Sequence, residues 1–362
     1  VTRDRRRTLA TWLIAIVVGV LVGFGLNLLD VPSPTLFGGL VAGCVVALTL
    51  DNPPQVGRRT TRVSQAVIGT MIGATVTLPA LQRLASGWFV AVVVTAATLA
   101  LSIAGGFLLA RLGKIGRLTG VLSMIAGGAG TLTSIARELG GDDRVVAVVQ
   151  YVRVLLILVT LPAVVLLVFG EHTAAPSDVD TELWSSLGFT VLSVGVGALI
   201  GWAIPISTFF LLGPMAVSAA LAISGWFGPV EVPGPIVAAC FILLGLQVGL
   251  RFTRASLKSI AKLLPAAVVL IAVVVLGSAL LGWVLAATTG VSALTAYLAT
   301  TPGGLPAVLA IAADSHADAT YVFAVQLARL LLVLLMAPLL SKILGREDLT
   351  EPDDSAETSS AR

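Results

Sequence analysis

Long apolar runs separated by short polar stretches recur along almost the whole 362-residue chain. Several are long enough for the roughly 20 residues that cross a hydrocarbon core of about 30 Å. The pattern predicts spanning helices at about 9–29, 35–50, 63–79, 87–110 and 144–169. A second set follows at about 187–204, 211–227, 236–250, 263–287 and 320–341. The second and third spans are short; Gly38, Gly39 and Gly43 lie in one, and Gly69 and Gly73 are expected to break the other. Between the fourth and fifth spans of each set lies a glycine-rich element, at 119–141 and at 295–318.

The two sets are copies. Thr119–Pro162 aligns without a gap on Thr295–Pro338, an offset of 176 residues. The identities include Thr119, Gly127, Gly128, Asp142, Gln150, Arg153 and Pro162. Shared hydrophobic bias would match Val and Leu, but would not bring Gly-Gly, Asp, Gln, Arg and Pro into one frame.

Charge placement decides how the copies are oriented. Arg3, Arg5, Arg6 and Arg7 put the N-terminus on the cytoplasmic side. If each glycine-rich element enters and leaves on one face, each copy crosses five times and the second copy is inverted. The basic loops 51–62 and 111–118, and the segment with Arg251, Arg254, Lys258 and Lys262, then all lie inside. The acidic stretch with Glu171, Asp178, Asp180 and Glu182 lies outside. If the elements crossed fully, the basic segment 251–262 would lie outside. The expected fold is therefore all-α and polytopic, with about ten transmembrane helices in two inverted five-helix repeats, each holding a re-entrant or broken Gly-Gly helix. The divisions are a basic N-terminus at 1–8, repeats at 9–170 and 187–345, an acidic external linker at 171–186 and a disordered cytoplasmic tail at 346–362.

Composition agrees and excludes alternatives. Hydrophobic residues make up 57% and charged residues 11%, against about 25% charged in soluble domains. The 37 glycines suit close helix crossings. Cys44 and Cys240 are expected to be reduced packing residues, and no cleavable signal peptide is expected. His172 and His316 are isolated, so no metal or cofactor site is expected, and no nucleic-acid partner. No catalytic triad, Cys/His cluster or Walker-type loop is present. The partners expected are the lipid bilayer, a small solute and, as an open choice, a second copy in a homodimer.

The candidate chemistry sits in the repeat. Gly127, Gly128 and Gly130, and Pro302, Gly303, Gly304 and Pro306, break the backbone at membrane depth. Helices restarting at about 129–139 and 306–314 aim free N–H groups at each turn, which attracts an anion. On the next helix Asp142, Val146, Val149, Gln150 and Arg153 share one face, as do Asp318, Val322, Val325, Gln326 and Arg329. Intramembrane arginine faces a cavity or a partner. Inversion brings Arg153 and Arg329 together near the midplane, where two guanidiniums suit a carboxylate or phosphate. The competing role is bracing, by capping carbonyls of the turn or by pairing with Glu138, Asp142, Asp314 or Asp318. Both can hold. Gln150 and Gln326 bind solute or bridge helices. Those four carboxylates are the proton-coupling candidates, while Thr131, Thr133, Ser134, Thr300 and Thr301 offer hydroxyls for Na⁺. The choice among Na⁺, H⁺ and no coupling stays open.

At the Gly-Gly and Gln-x-x-Arg motifs the chain resembles the AbrB family of bacterial membrane proteins, which is distinct from the small DNA-binding regulator of the same name. Pro302-Gly303-Gly304 through Gln326 and Arg329 carries the resemblance, and Ala126 stands where the first copy would have the proline. The resemblance implies a membrane transporter, with an architecture similar to other inverted five-helix carriers. The reading is a multi-pass inner-membrane secondary carrier, not an enzyme, with both termini cytoplasmic. It moves a small anionic organic solute by alternating access past Gly127, Gly128, Thr131, Gln150, Arg153, Thr301, Gly303, Gly304, Gln326 and Arg329. The alternative is a membrane sensor or regulator on the same scaffold, acting through a partner.

Overall fold

A computed structural model describes residues 2–29, 31–50, 53–76, 78–127, 129–170, 183–203, 209–228, 230–315 and 317–344. Among these residues the chain is helical throughout, with no strand. The first half holds α1 (Thr2–Asn27), α2 (Pro34–Thr49), α3 (Arg58–Ala74), α4 (Leu78–Gly113), α5 (Arg117–Met124), α6 (Ala129–Glu138) and α7 (Asp143–Val168). The second holds α8 (Leu183–Ala203), α9 (Phe209–Ser224), α10 (Gly234–Gly249), α11 (Arg254–Ser259), α12 (Leu264–Thr289), α13 (Ala293–Thr300), α14 (Leu305–Asp314) and α15 (Ala319–Leu344). The bounds of α5, α6 and α7 return in α13, α14 and α15 at the 176-residue offset, and α4 maps onto α11 and α12 together.

Four described helices have the length and apolarity to cross a membrane: Ala85–Gly113, Asp143–Val168, Leu183–Ala203 and Leu264–Thr289. Shorter apolar helices join them, among them Thr11–Asn27, Pro34–Thr49, Phe209–Ser224 and Gly234–Gly249. Large apolar side chains such as Trp184, Leu199, Trp202, Leu280 and Trp283 stand on the outside of the molecule, where hydrocarbon rather than water is the compatible solvent. This is a multi-pass helical membrane protein.

The helices form two groups. In one, α1, α2 and α3 pack with α8, α9 and α10; in the other, α4 to α7 pack with α12 to α15. Glycine makes the first group tight. Gly39 and Gly43 of α2 meet the carbonyls of Ile242 and Leu246 on α10, and Gly245 and Gly249 of α10 return the contact to Leu36 and Leu40. A Cβ at any of these positions would enter the partner's backbone, so the close approach requires glycine. Gly69 and Gly73 do the same against Leu211 and Met215 of α9. They do not break α3, which is continuous from Arg58 to Ala74. Intrahelical hydrogen bonding outweighs the propensity cost of about 1 kcal/mol per glycine where packing uses the missing side chain.

The helix α1 runs from Thr2, ahead of the expected first span, and its apolar part is Thr11–Asn27. Most of the acidic linker (171–182) and the tail 346–362 lie outside the described residues. The main apolar core lies between the two groups and includes Leu36, Ile68, Ile157, Leu161, Leu298 and Ile311. Cys44 and Cys240 are free thiols.

Candidate functional site

Each broken element is a pair of half-helices. α5 ends at Met124 and the chain restarts as α6 at Ala129; α13 ends at Thr300 and restarts as α14 at Leu305. Glycine and proline account for the breaks. Pro306 occupies the first turn of α14, where its missing N–H is no loss, and Gly304 stands at the N-cap. The carbonyls at the ends of α5 and α13 have no following turn to bond to, and these orphan acceptors need donors if they are to be buried.

The shared Gln and Arg supply them. Gln150 Nε2 donates to the carbonyls of Leu122 (2.7 Å) and Ile125 (2.8 Å). Arg153 Nη1 donates to the Met124 carbonyl at 3.0 Å, and its Nη2 to Gln150 Oε1 at 2.7 Å. The second copy repeats the set. Gln326 Nε2 donates to Leu298 and Thr301, both at 3.0 Å. Arg329 Nη1 donates to Thr300 (3.4 Å) and Thr301 (3.2 Å), and its Nη2 to Gln326 Oε1. The i, i+3 spacing explains the motif: Gln orients the guanidinium beside it, and both reach one helix end. Cations at a helix C-terminus are also favoured by its dipole.

These four side chains are buried to within 6% exposure. Among the described residues neither arginine has a carboxylate partner, so the expected alternatives of pairing with Glu138, Asp142, Asp314 or Asp318 do not occur. Both are held instead at the carbonyl ends of the broken helices. The Arg153 Nε–H is buried and has no acceptor among the described residues. Two buried like charges without a counter-charge, and an orphan donor between them and solvent exclusion, are costly unless an anion or water completes the site.

The turns cross over. A Cβ on Gly127 would meet Val333 of α15, and one on Gly303 would meet Ile157 of α7 at 3.3 Å. Gly304 faces Val154 at 3.7 Å. Ile157 and Val333 lie four residues beyond Arg153 and Arg329, one turn along the same faces. Each turn therefore packs beside the arginine helix of the other copy, and Gly127, Gly303, Gly304, Gln150, Arg153, Gln326 and Arg329 come together. Gly128 lies outside the described residues, as does the side chain of Thr131, whose backbone belongs to α6. Thr301 is buried and its hydroxyl donates to the Tyr297 carbonyl at 2.7 Å, while its own carbonyl serves the Gln-Arg pair.

The four carboxylates divide into different roles. Asp142 caps α7 by accepting from the N–H groups of Arg144 and Val145, and Asp318 accepts from the N–H of Tyr321 in α15. Their own backbone N–H groups donate to Thr119 Oγ1 and Thr295 Oγ1, each at 3.0 Å. This threonine pair is part of the repeat identities, and its place 23 residues before the capping Asp was the overlooked signal. Glu138 is exposed at the end of α6. Asp314, its counterpart on α14, accepts from Ser33 Oγ at 2.6 Å. Ser33 is fully buried before α2 in the left-handed conformation (φ 54°), and nothing in local sequence pattern points from one to the other.

The chain is similar to known proteins over most of its length. A family model described as "Transition state regulatory protein AbrB" matches residues 35–345. "Putative regulator AbrB" of Escherichia coli (strain K12) is 29% identical over 342 residues, covering 92% of this chain and 96% of that protein. "Uncharacterized protein YhjN" of Bacillus subtilis (strain 168) is 26% identical over 354 residues, covering 90% and 91%.

Proposed function

The chain belongs to the AbrB family of membrane proteins, and on that footing we propose that it is a secondary transporter for a small anionic organic solute. The observation that carries this reading is the pair of buried guanidiniums, Arg153 and Arg329, brought together at the two helix breaks with no carboxylate partner among the described residues. A carboxylate or phosphate between them would restore charge balance and accept from the free Arg153 Nε–H. The starts of α6 and α14 add N–H donors beside the turns. Bracing and binding are compatible in one guanidinium, because each arginine has five N–H groups.

Ten crossings in two inverted five-helix repeats, with α5–α6 and α13–α14 re-entrant, account for which loops meet. Gln55 after α2, Ala147 in α7 and Arg251 after α10 line one cleft. Inversion puts all three on the cytoplasmic face, whereas parallel repeats would separate Gln55 from the others by the bilayer. Ser33 and Asp314 both fall on the outer face. The docking of Asp314 on Ser33 and the exposure of Glu138 support a reading in which the two ends differ, as alternating access requires. Of the carboxylates, Asp314, held by one hydroxyl, is the proton-coupling candidate, whereas Asp142 and Asp318 are engaged with backbone N–H groups at helix starts.

Thermal stabilisation of the purified protein by organic acids, phosphorylated metabolites and neutral solutes tests the site. A ligand that binds only the folded state raises stability by mass action. Anion-selective stabilisation is expected in wild type and abolished in Arg153→Gln and Arg329→Gln. Arg153→Lys and Arg329→Lys, which keep the charge, guard against loss of the fold. Folded variants that respond like wild type would leave the arginines as braces alone. A second reading, a membrane regulator, takes support from the printed name of the Escherichia coli relative; it would be favoured if no solute stabilises the wild type and none crosses reconstituted vesicles.

A further inference from the structure

A second polar cleft lies away from the arginine pair, between the first turns of α7 and the connection from α10 to α11. Its volume is about 310 Å³. Arg251 forms one wall, with its guanidinium carbon 5.2 Å from the centroid of the Tyr151 ring. This cation–π contact positions the guanidinium at the wall while leaving N–H groups for an acceptor. Gln55 and Thr253 add polar groups, and Val148 and Leu257 make the lining apolar elsewhere. Among the described residues no carboxylate lines the cleft. Arg254, Lys258 and Lys262 follow Arg251 within twelve residues that contain no acidic residue. Among the described residues none of these four cations has an ion-pair partner.

We propose that this cleft binds the phosphate of an anionic lipid head group. A guanidinium fork with neighbouring hydroxyl and amide groups, followed by a basic stretch of chain, suits a phosphate oxygen set. The apolar half of the lining suits glycerol and the first acyl carbons, which a free phosphate would leave unfilled. The location also fits: the cleft sits where apolar α7 begins and α10 ends, which under the inverted topology proposed above is the cytoplasmic end of both helices, and basic segments there attract anionic lipid. The site is separate from the solute path, because Tyr151 lies about 100° from Gln150 and 200° from Arg153 around α7.

The test is lipid retention by native mass spectrometry, after the full-length protein is equilibrated in detergent micelles holding equal phosphatidylglycerol and phosphatidylcholine. Wild type should retain phosphatidylglycerol over phosphatidylcholine by about tenfold, and Arg251→Gln should fall to near parity. Arg251→Lys keeps the charge without the fork and covers the case in which Arg251→Gln does not fold; it should lose most of the preference. Arg254→Gln should keep it. Equal retention of both lipids by wild type, an unchanged preference in a folded Arg251 variant, or an equal loss in Arg254→Gln would each overturn the cleft as the site. Inorganic phosphate at millimolar concentration is the second arm. If it strips phosphatidylglycerol from wild type and stabilises the protein as well as the lipid does, the phosphate chemistry holds and the lipid source is overturned. Arg153→Gln should retain lipid like wild type, so failure here and failure of the transport reading are separately visible.

Discussion

In the first half the broken pair α5–α6 ends at Glu138, exposed, with Arg137 of the same helix end donating to Asp143 at 2.8 Å. In the second half α13–α14 ends at Asp314, which is tied to Ser33 and rests against α3. The counterparts of Arg137 and Asp143 are Ala313 and Ala319. Deeper in, the two copies are alike: the same Gln and Arg atoms reach carbonyls at matching positions, Leu122 and Leu298, Met124 and Thr300, Ile125 and Thr301. Duplication has thus kept the brace and let the ends diverge. The brace has one geometric solution, because a broken helix always leaves the same carbonyls exposed. The ends face different surroundings, one docked and one free, and so carry the asymmetry of the conformer.

Removing a brace is the largest perturbation the comparison offers. Gln150→Leu strands the buried carbonyls of Leu122 and Ile125, and Gln326→Leu strands that of Leu298, while Thr301 keeps its bonds from Arg329 and Gly303; each change also removes a guanidinium contact and is expected to cost about 2–5 kcal/mol. Equilibrium unfolding in detergent should give similar losses for both. A large difference between them would show that the two braces are not equivalent despite matching geometry.

The ends should respond unequally. Ser33→Ala removes a hydrogen bond to a carboxylate and is expected to cost about 1.5–3 kcal/mol. Glu138→Gln, at an exposed end, should stay within about 0.5 kcal/mol. The same unfolding assay reads both, and equal effects would erase the contrast between docked and free ends.

A smaller effect probes the crossover. The added methyl of Gly127→Ala would press on Val333 Cγ1 at 2.5 Å, an overpacking expected to cost about 1–3 kcal/mol. Combining it with Val333→Ala should recover about 1 kcal/mol relative to the sum of the single changes. Additive behaviour in that cycle would mean that the turn of the first copy does not rest on α15.

Much of this was legible in the residues. The gapless alignment of Gly127-Gly128, Asp142, Gln150 and Arg153 on Gly303-Gly304, Asp318, Gln326 and Arg329 singled out the side chains that meet in space. It did so because intramembrane polar residues are expensive and persist only where they have partners. Helix breaks were legible from Gly and Pro. Gly69 and Gly73 misled, because glycine that breaks a helix and glycine that lets another helix approach look the same in one dimension. Ser33 was invisible: its partner Asp314 lies 281 residues away, and no period or motif links them.

The sequence by itself determined a membrane protein of apolar helices, its internal copy, the charge bias of its loops and the residues that had to find partners. Only the tertiary structure decided which partners they found. Arg153 and Arg329 face the carbonyl ends of broken helices rather than the nearby carboxylates. The physical reason is that a half-helix buried in protein leaves acceptors no solvent can reach, and the donors that satisfy them must come from whichever helix packs across the break.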